Sequence, residues 1–402
     1  MELPVVIAVT IVAALGGAVL GVVVRGVWAS QSMKAAQRSI SGSAVRTSTN
    51  SIPSSSGSTI ASLPAAPPRA SRGDTRSTRP LTAKPLIPHR LRCATRGAAP
   101  VGPRILRRMT LTERRFGAQS MTADLREVLV ARPGPAFGRA FENPAHGFLR
   151  LVDLDRARRE HDGLVATLDE LGATVDVLEP ELGGAESDDP DLVYTFDPLL
   201  VSERGAIPLR PGKPNRADEP GILEAWTTAA GIPTAGRIEA PGTLEGGDTF
   251  WLRPDLLCIG RTLRTNDTGA RQLAAIVGGD VRIFDVPYWR GPAALVHLLS
   301  VVSPVADDLA VVFLRLLPVG LWELLGELGI RLIEVPEEEY ATLGCNVLAV
   351  RPGVVIVADG NPVTRRRLDS AGCEVHAIPL GEIGENGSGG PTCLTRPILR
   401  AG

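Results

Sequence analysis

The chain has 402 residues, and 43 Lys and Arg face 44 Asp and Glu, which gives a net charge of −1. This balance excludes a protein that binds nucleic acid or acidic membranes through its total charge. The five cysteines are scattered and odd in number, which argues against a disulfide framework and a structural zinc site and favours a reducing compartment.

The first 110 residues differ in composition from the rest of the chain. Residues 1–28 contain an apolar, uncharged run (3–24) that is long enough to span a bilayer as a helix. Residues 29–110 are rich in Ser, Pro and Arg without periodicity, and we predict disorder there. Several interpretations stay open: a membrane anchor that leaves the main body in the cytoplasm, a signal peptide, no functional segment at all, or upstream sequence translated ahead of a start at Met109.

A folded domain is predicted over residues 121–402. Residues 127–131 are typical of a strand, and 153–171 have apolar residues at helical spacing that end at Gly172, which we expect to cap the helix. Residues 174–178 then predict a second strand.

This helix–Gly–strand unit recurs at intervals of roughly 50 residues, which indicates a repeat architecture. Its glycines are Gly172, Gly231, Gly279, Gly329 and Gly372. Pairs of short strands joined by tight turns lie between the units, so each repeat is predicted as ββαβ. Five such units cannot each bury an apolar face alone, so we predict an α/β fold in which they close as a five-bladed propeller. A doubly wound α/β sheet is the alternative, but its parallel strands need longer connections.

Two motifs contain candidate catalytic groups next to glycines. A Gly/Ser-rich loop, which we expect to be flexible, delivers Cys393 near the end of the chain, although an inert buried cysteine is the commoner case. In the run Glu245-Gly-Gly-Asp248, the two glycines allow a close backbone approach between two carboxylates, or simply a hairpin turn.

Three further groups suit the recognition of a cation or a carboxylate. His297 lies in an apolar, strand-like run and is either a general acid–base or a satisfied core histidine. Asp191 and Asp197 are six residues apart, which on an extended strand puts both on one face, where they can clamp a planar cation. Arg216 and Arg264 lie in loops that suit the capture of a carboxylate, although surface arginines are common.

Together and in this order, these motifs resemble the guanidine-modifying superfamily, whose pentein fold is shared by arginine deiminases, amidinotransferases and dimethylargininases. The resemblance covers roughly residues 126–400 and is strongest to the dimethylargininases. It implies a pentein propeller and a hydrolase that acts on a guanidino amino acid, with N-methylated arginine giving citrulline and a methylated amine.

The resemblance also implies the role of each candidate residue. Cys393 would be the nucleophile, His297 the general acid and then base, and Glu245 the group that orients the histidine. Substrate binding would fall to Asp191 and Asp197 for the guanidinium, to Arg216 and Arg264 for the α-carboxylate, and to Asp248. Residues 137–148 fall where the family has a mobile lid.

The resemblance implies neither a metal nor an organic cofactor, and its only implied partner is the small guanidino substrate; a homodimer stays open. Phe196 is a departure, because the dimethylargininases have an acid at this position, and this puts the exact substrate in doubt. Arginine deiminase, amidinotransferase and a non-catalytic guanidinium-binding pentein are the alternatives.

Overall fold

The computed structural model describes residues 115–178, 189–289 and 296–401. The predicted segments 1–28 and 29–110 lie outside these residues. Among the residues that are described, no helix has the length and apolar character needed to cross a membrane. Residues just before 121 already contact the last described strand, since the N–H of Gly117 donates to the carbonyl of Ile398 at 2.8 Å.

The described residues form fourteen strands and seven α-helices. The strands are β1 Asp124–Ala131, β2 Thr174–Leu178, β3 Leu199–Ser202, β4 Gly205–Pro208, β5 Thr249–Arg253, β6 Leu256–Arg261, β7 Asp280–Asp285, β8 Val302–Ala306, β9 Leu309–Val312, β10 Arg331–Glu334, β11 Leu348–Arg351, β12 Val354–Ala358, β13 Glu374–Ile378 and β14 Arg396–Ala401. The helices are α1 Pro135–Gly138, α2 Leu154–Glu170, α3 Glu219–Ala229, α4 Asp267–Val277, α5 Val319–Glu327, α6 Glu337–Tyr340 and α7 Pro362–Ser370.

The strands form five small sheets, as predicted. Three of them repeat one pattern, in which an antiparallel pair is followed by a helix and a third, parallel strand: β5-β6-β7, β8-β9-β10 and β11-β12-β13. In the sheet β14-β1-β2, the last strand of the chain pairs antiparallel with the first, so the two ends of the domain close on each other. Residues from the two ends of the described domain, about 270 positions apart, thereby lie side by side.

Local signals explain the repeated units. The side chain of Asp153 caps α2 by accepting a hydrogen bond from the N–H of Arg156 at 2.9 Å. The glycine that follows the helix of each repeat has a left-handed φ between 71° and 95°, a conformation that strongly favours glycine. The predicted stop signals are confirmed at all five positions.

Three sequence predictions about local structure were wrong. The sheet β3-β4 has only two strands, and an isolated bridge at Thr234 replaces the third. Residues Pro190–Val193 form a 3₁₀ turn rather than a strand, because Asp189 caps it by accepting from the N–H of Asp191. His297 precedes another 3₁₀ turn, Leu298–Ser300, and is not in a strand.

Candidate active site

Glu245 and His297 form a buried pair. Nε2 of His297 lies 2.8 Å from Oε2 of Glu245, and both side chains are almost fully buried. Burial alone would lower the pKa of His297, but the carboxylates of Asp197, Asp248 and Glu245 raise it to about 9. Burial would raise the pKa of Glu245, yet His297 and Arg264 hold it well below its usual range. Near neutral pH the imidazolium therefore donates to the carboxylate.

The backbone around this pair is held by Asp248 and Gly247. Asp248 is fully buried; its Oδ1 accepts from the N–H of Leu298 at 3.0 Å, and its Oδ2 accepts from the hydroxyl of Thr262 at 2.7 Å. A Cβ on Gly247 would lie 2.5 Å from Nδ1 of His297, so glycine is needed for this approach. The motif thus allows the close contact expected from the sequence, and Asp248 holds the turn that follows His297.

The loop that carries Cys393 is tightly packed, contrary to the expected flexible delivery. A Cβ on Gly390 would lie 2.6 Å from Cγ of Asn346, and one on Gly389 would overlap the ring of Tyr194. The glycines therefore serve close packing and fix the position of the sulfur.

Asn346 contacts the Cys393 sulfur directly. Its Nδ2 donates to Sγ at 3.1 Å, while its Oδ1 accepts from the N–H of Thr392 at 3.0 Å. No motif pointed to Asn346, which lies almost fifty residues earlier in the chain; only its apolar, unremarkable neighbourhood was visible in the sequence.

Asp197 lies between the Glu245–His297 pair and the loop that carries Cys393. Its Oδ1 accepts from the N–H of Gly247 at 2.9 Å, beside His297. The N–H of the preceding residue, Phe196, donates to the carbonyl of Cys393 at 3.2 Å. Burial, followed by the negative charge of Asp197, raises the pKa of the Cys393 thiol to about 12. The carboxylate of Asp197 thus acts on both the thiol of Cys393 and the imidazolium of His297.

The other described cysteines lack this setting. Cys393 is partly exposed, whereas Cys258, Cys345 and Cys373 are buried. Their interpretation as inert core residues is consistent with these surroundings.

Asp191 faces a lysine that sequence reasoning did not select. Nζ of Lys213 pairs with Oδ2 of Asp191 and donates to the backbone carbonyl of His146 at 3.0 Å. Nδ2 of Asn215 lies 2.8 Å from Nδ1 of His146. His146 belongs to the expected lid, residues 137–148. The turn 213–216 therefore contacts both this lid and the carboxylate of Asp191.

Arg216 is buried, and protein oxygens engage its guanidinium. Nη1 donates to Oδ2 of Asp197 at 2.7 Å, and Nη2 donates to Oε2 of Glu219 at 2.7 Å. Nε also donates to Glu219, at 2.9 Å. In this arrangement Arg216 holds Asp197 in place.

Arg264 is more accessible. Its Nη1 donates to both oxygens of Glu245, at 2.8 and 3.1 Å, while its side chain stays 17% exposed. A solute can therefore reach the guanidinium of Arg264 but not that of Arg216.

Comparison with known proteins points to one superfamily. A family model described as arginine deiminase matches residues 317–400. The N(G),N(G)-dimethylarginine dimethylaminohydrolase of Pseudomonas aeruginosa is 30% identical over 256 residues, which cover 60% of this chain and 89% of the relative. The arginine deiminase of Listeria welshimeri is 27% identical, over 52% of this chain and 62% of the relative.

Solved structures agree with these sequence relatives. A mutant dimethylarginine dimethylaminohydrolase (DDAH) of Pseudomonas aeruginosa in complex with citrulline superposes with a TM-score of 0.56, at 24% identity, over 68% of this chain and 99% of that one. The N-terminal domain of ArgZ, an arginine dihydrolase from Cyanobacteria, gives 0.59 at 22% identity, over 69% of this chain and 98% of that one.

The chain is a pentein of the dimethylargininase-like type. The predicted fold is therefore confirmed, and the protein belongs to a family of hydrolases and deiminases that act on guanidino C–N bonds.

In this pentein, Phe196 is part of the core. Its side chain is 3% exposed, and the guanidinium carbon of Arg396 lies 3.7 Å from the ring centroid. Nη2 of Arg396 also donates to the carbonyl of Phe196 at 2.5 Å. The departure noted in the sequence is therefore accommodated by a buried cation–π contact.

Two groups within the described part of the pentein have donor atoms close enough together to hold a metal ion. They are His146, Asp189 and Asp191, and Asp197, Glu245 and His297. In the first group an ammonium already pairs with Asp191, and in the second Glu245 and His297 bond to each other. We assign a metal to neither.

Proposed function

We propose that this protein hydrolyses a guanidino amino acid, foremost N-methylated arginine, to citrulline and an amine through a covalent bond to Cys393. The observation that carries the proposal is the position of Asp197. It contacts the Gly247 backbone beside His297, and the adjoining peptide contacts Cys393. A guanidinium held there would lie against both a nucleophile and an acid.

Charges in the site favour ionisation of the thiol once a cation binds. Burial and Asp197 hold the pKa of Cys393 at about 12, so the free thiol is protonated near neutral pH. A bound guanidinium would offset the charge of Asp197 and lower that pKa, because opposite charges favour the thiolate. The thiol proton is released to water, and the substrate thereby helps to create its own nucleophile.

The proposed reaction then has two steps. Sγ of Cys393 bonds to the guanidinium carbon, the C–N bond breaks, and His297 gives its proton to the departing amine. A water molecule next adds to the thiouronium carbon and passes one proton to the now neutral His297. The C–S bond then breaks as the carbonyl of citrulline forms, and the second proton of the water goes to the departing sulfur, which restores the thiol of Cys393. Glu245 keeps the imidazole oriented throughout and stabilises its protonated form before the first step and after the second.

For the other candidate residues we propose an adjusted assignment. Asp191 and Asp197 bind the guanidinium, and Arg264 binds the α-carboxylate because it is partly exposed. Arg216 and Asp248 act as positioning residues: protein oxygens engage the whole guanidinium of Arg216, and Asp248 is fully buried and holds the backbone of Leu298. We also propose that residues 121–402 form the catalytic domain.

A substrate panel tests the proposed function. The full chain is incubated with arginine, monomethylarginine and asymmetric dimethylarginine, and citrulline is measured. We expect the largest kcat/KM with a methylated arginine, because a dimethylated nitrogen has no N–H that needs an acceptor and Phe196 supplies none. Larger turnover of arginine would favour a deiminase, and amidino transfer to added glycine would favour an amidinotransferase. Failure to release citrulline from any of them would contradict hydrolysis.

Replacing Asn346 tests the hydrogen bond to the sulfur. We expect Asn346→Ala to lower kcat/KM by about 10- to 100-fold, since a hydrogen bond to a charged group is worth about 1.5–3 kcal/mol. Asn346→Asp keeps the acceptor for Thr392 but loses the donor to Sγ, so it should be at least as impaired. The pH dependence of Cys393 alkylation by iodoacetamide should shift to higher pH in both variants. Unchanged alkylation profiles would show that the contact does not stabilise the thiolate.

A further inference from the structure

The turn that contains residues 213–216 places one cation on each of the two substrate-site acids. Lys213 pairs with Asp191, and Arg216 pairs with Asp197. Both carboxylates are almost fully buried, with side-chain exposures of 5% and 6%. Each acid that we assign to the guanidinium of a substrate therefore already holds a cation of the protein itself.

The two cations are bound very differently. Every guanidinium nitrogen of Arg216 donates to protein oxygens, and Glu219 provides it with a second, fully buried carboxylate. Lys213 donates to one carboxylate oxygen and one backbone carbonyl, and its side chain remains 14% exposed on a flexible stem. Of the two, only Lys213 is readily displaced.

We propose that Lys213 is a specificity-determining residue whose ammonium occupies Asp191 until a guanidinium displaces it. This inference rests on the proposed role of Asp191 in the function above. The ammonium of Lys213 competes with an incoming cation for Asp191. It therefore disfavours the binding of small guanidines, which are weakly held. An amino-acid substrate gains further contacts through its α-carboxylate and still displaces it.

The lid takes part in this exchange. The second acceptor of the Lys213 ammonium is the carbonyl of His146, and the ring of His146 contacts Asn215 in the same turn. When the ammonium leaves Asp191, it keeps its hydrogen bond to the carbonyl of His146. Asn215 offers a way to loosen the lid without changing the charge at Asp191.

Binding of methylguanidine, measured by calorimetry, tests the proposal. The full chain carries Cys393→Ser to prevent chemistry, with and without Lys213→Met. We expect Lys213→Met to tighten methylguanidine binding about two- to tenfold, the range for removing one competing ion pair. Lys213→Gln serves as a second uncharged variant, and the charged Lys213→Arg should not tighten binding.

Asn215→Ala is the matched control for the lid, and it should leave methylguanidine binding within about twofold. Equal or weaker binding in both uncharged lysine variants would overturn the proposal, and so would tightening by Asn215→Ala to the same degree. Failure of the protein with Lys213 intact to bind asymmetric dimethylarginine would instead count against the proposed function. The two failures are therefore distinguishable.

Discussion

Replacing Cys393 by serine is expected to abolish turnover. A serine hydroxyl in the same place ionises far less readily than a thiol, and the hydrogen bonds from Asn346 and from the backbone of Gly390 are too weak to offset this difference. We expect kcat to fall by more than about 10³-fold, because removing the nucleophile of a covalent enzyme typically costs at least that much. Citrulline release from the preferred substrate of the panel is the measurement.

Cys373→Ser is the matched control for this change. Cys373 is buried in the core away from the acids of the site, so its replacement should leave kcat nearly unchanged. A Cys393→Ser protein that retains its turnover, with an unaltered circular dichroism spectrum, would contradict the nucleophile assignment. Equal losses in both variants would point to a general effect on the fold.

Replacing His297 by glutamine is expected to have the next largest effect. Glutamine is of similar size and can still donate to Glu245, but it cannot pass a proton to the leaving amine or accept one from water. We expect kcat to fall by about 10²- to 10⁴-fold, the usual contribution of general acid–base catalysis. A loss confined to KM, with kcat unchanged, would assign His297 to binding instead.

The same variant tests the charge of His297 through stability. The pKa of His297 in the folded protein is about 9, above its ordinary value of 6.5. The protonated ring therefore stabilises the fold fully below pH 6.5, and this stabilisation is lost as the pH rises through about 9. The difference in urea midpoint between the original protein and His297→Gln should shrink across this window. A constant difference would indicate that the ring is neutral throughout.

The roughly 50-residue repeat and its recurring glycines were sufficient to predict the fold. The glycine after each helix adopts a left-handed conformation in all five repeats, and this regularity is visible in the sequence because few other residues tolerate it. The sequence did not show that the third strand after Gly231 is missing from its sheet. An apolar run predicts an extended backbone, but it does not tell which strand that backbone pairs with.

Local capping misled the prediction at two site segments. Asp191 was placed on a strand by its even spacing from Asp197, yet Pro190 and the side chain of Asp189 fold the chain into a 3₁₀ turn. The turn 213–216 nevertheless pairs with both carboxylates, through Lys213 and Arg216. The roles that the resemblance implies for the two acids stay a prediction, whereas the argument from an extended strand was wrong.

Contacts between distant residues account for what the sequence did not reveal. Asn346 belongs to no recognised motif, and Lys213 occupies a variable position of the motif that ends at Arg216; each acquires its partner only through the tertiary fold. Similarly, the position of Arg216 in its motif suggested a free guanidinium, whereas Glu219 and Asp197 engage it. Burial and pairing of this kind depend on tertiary packing, which spacing along the chain does not encode.

A covalent adduct on Cys393 is the most direct test of the account. S-Methyl-L-thiocitrulline forms an adduct with a histidine-to-glycine variant of a related dimethylarginine dimethylaminohydrolase, and its methanethiol leaving group needs little help from an acid. We therefore treat His297→Gly of the full chain with this compound and map the modified peptide by mass spectrometry. The account predicts a stable thiouronium on Cys393, which persists because no imidazole activates water. An unmodified Cys393 under conditions in which the compound binds, or an adduct on a different residue, would contradict it.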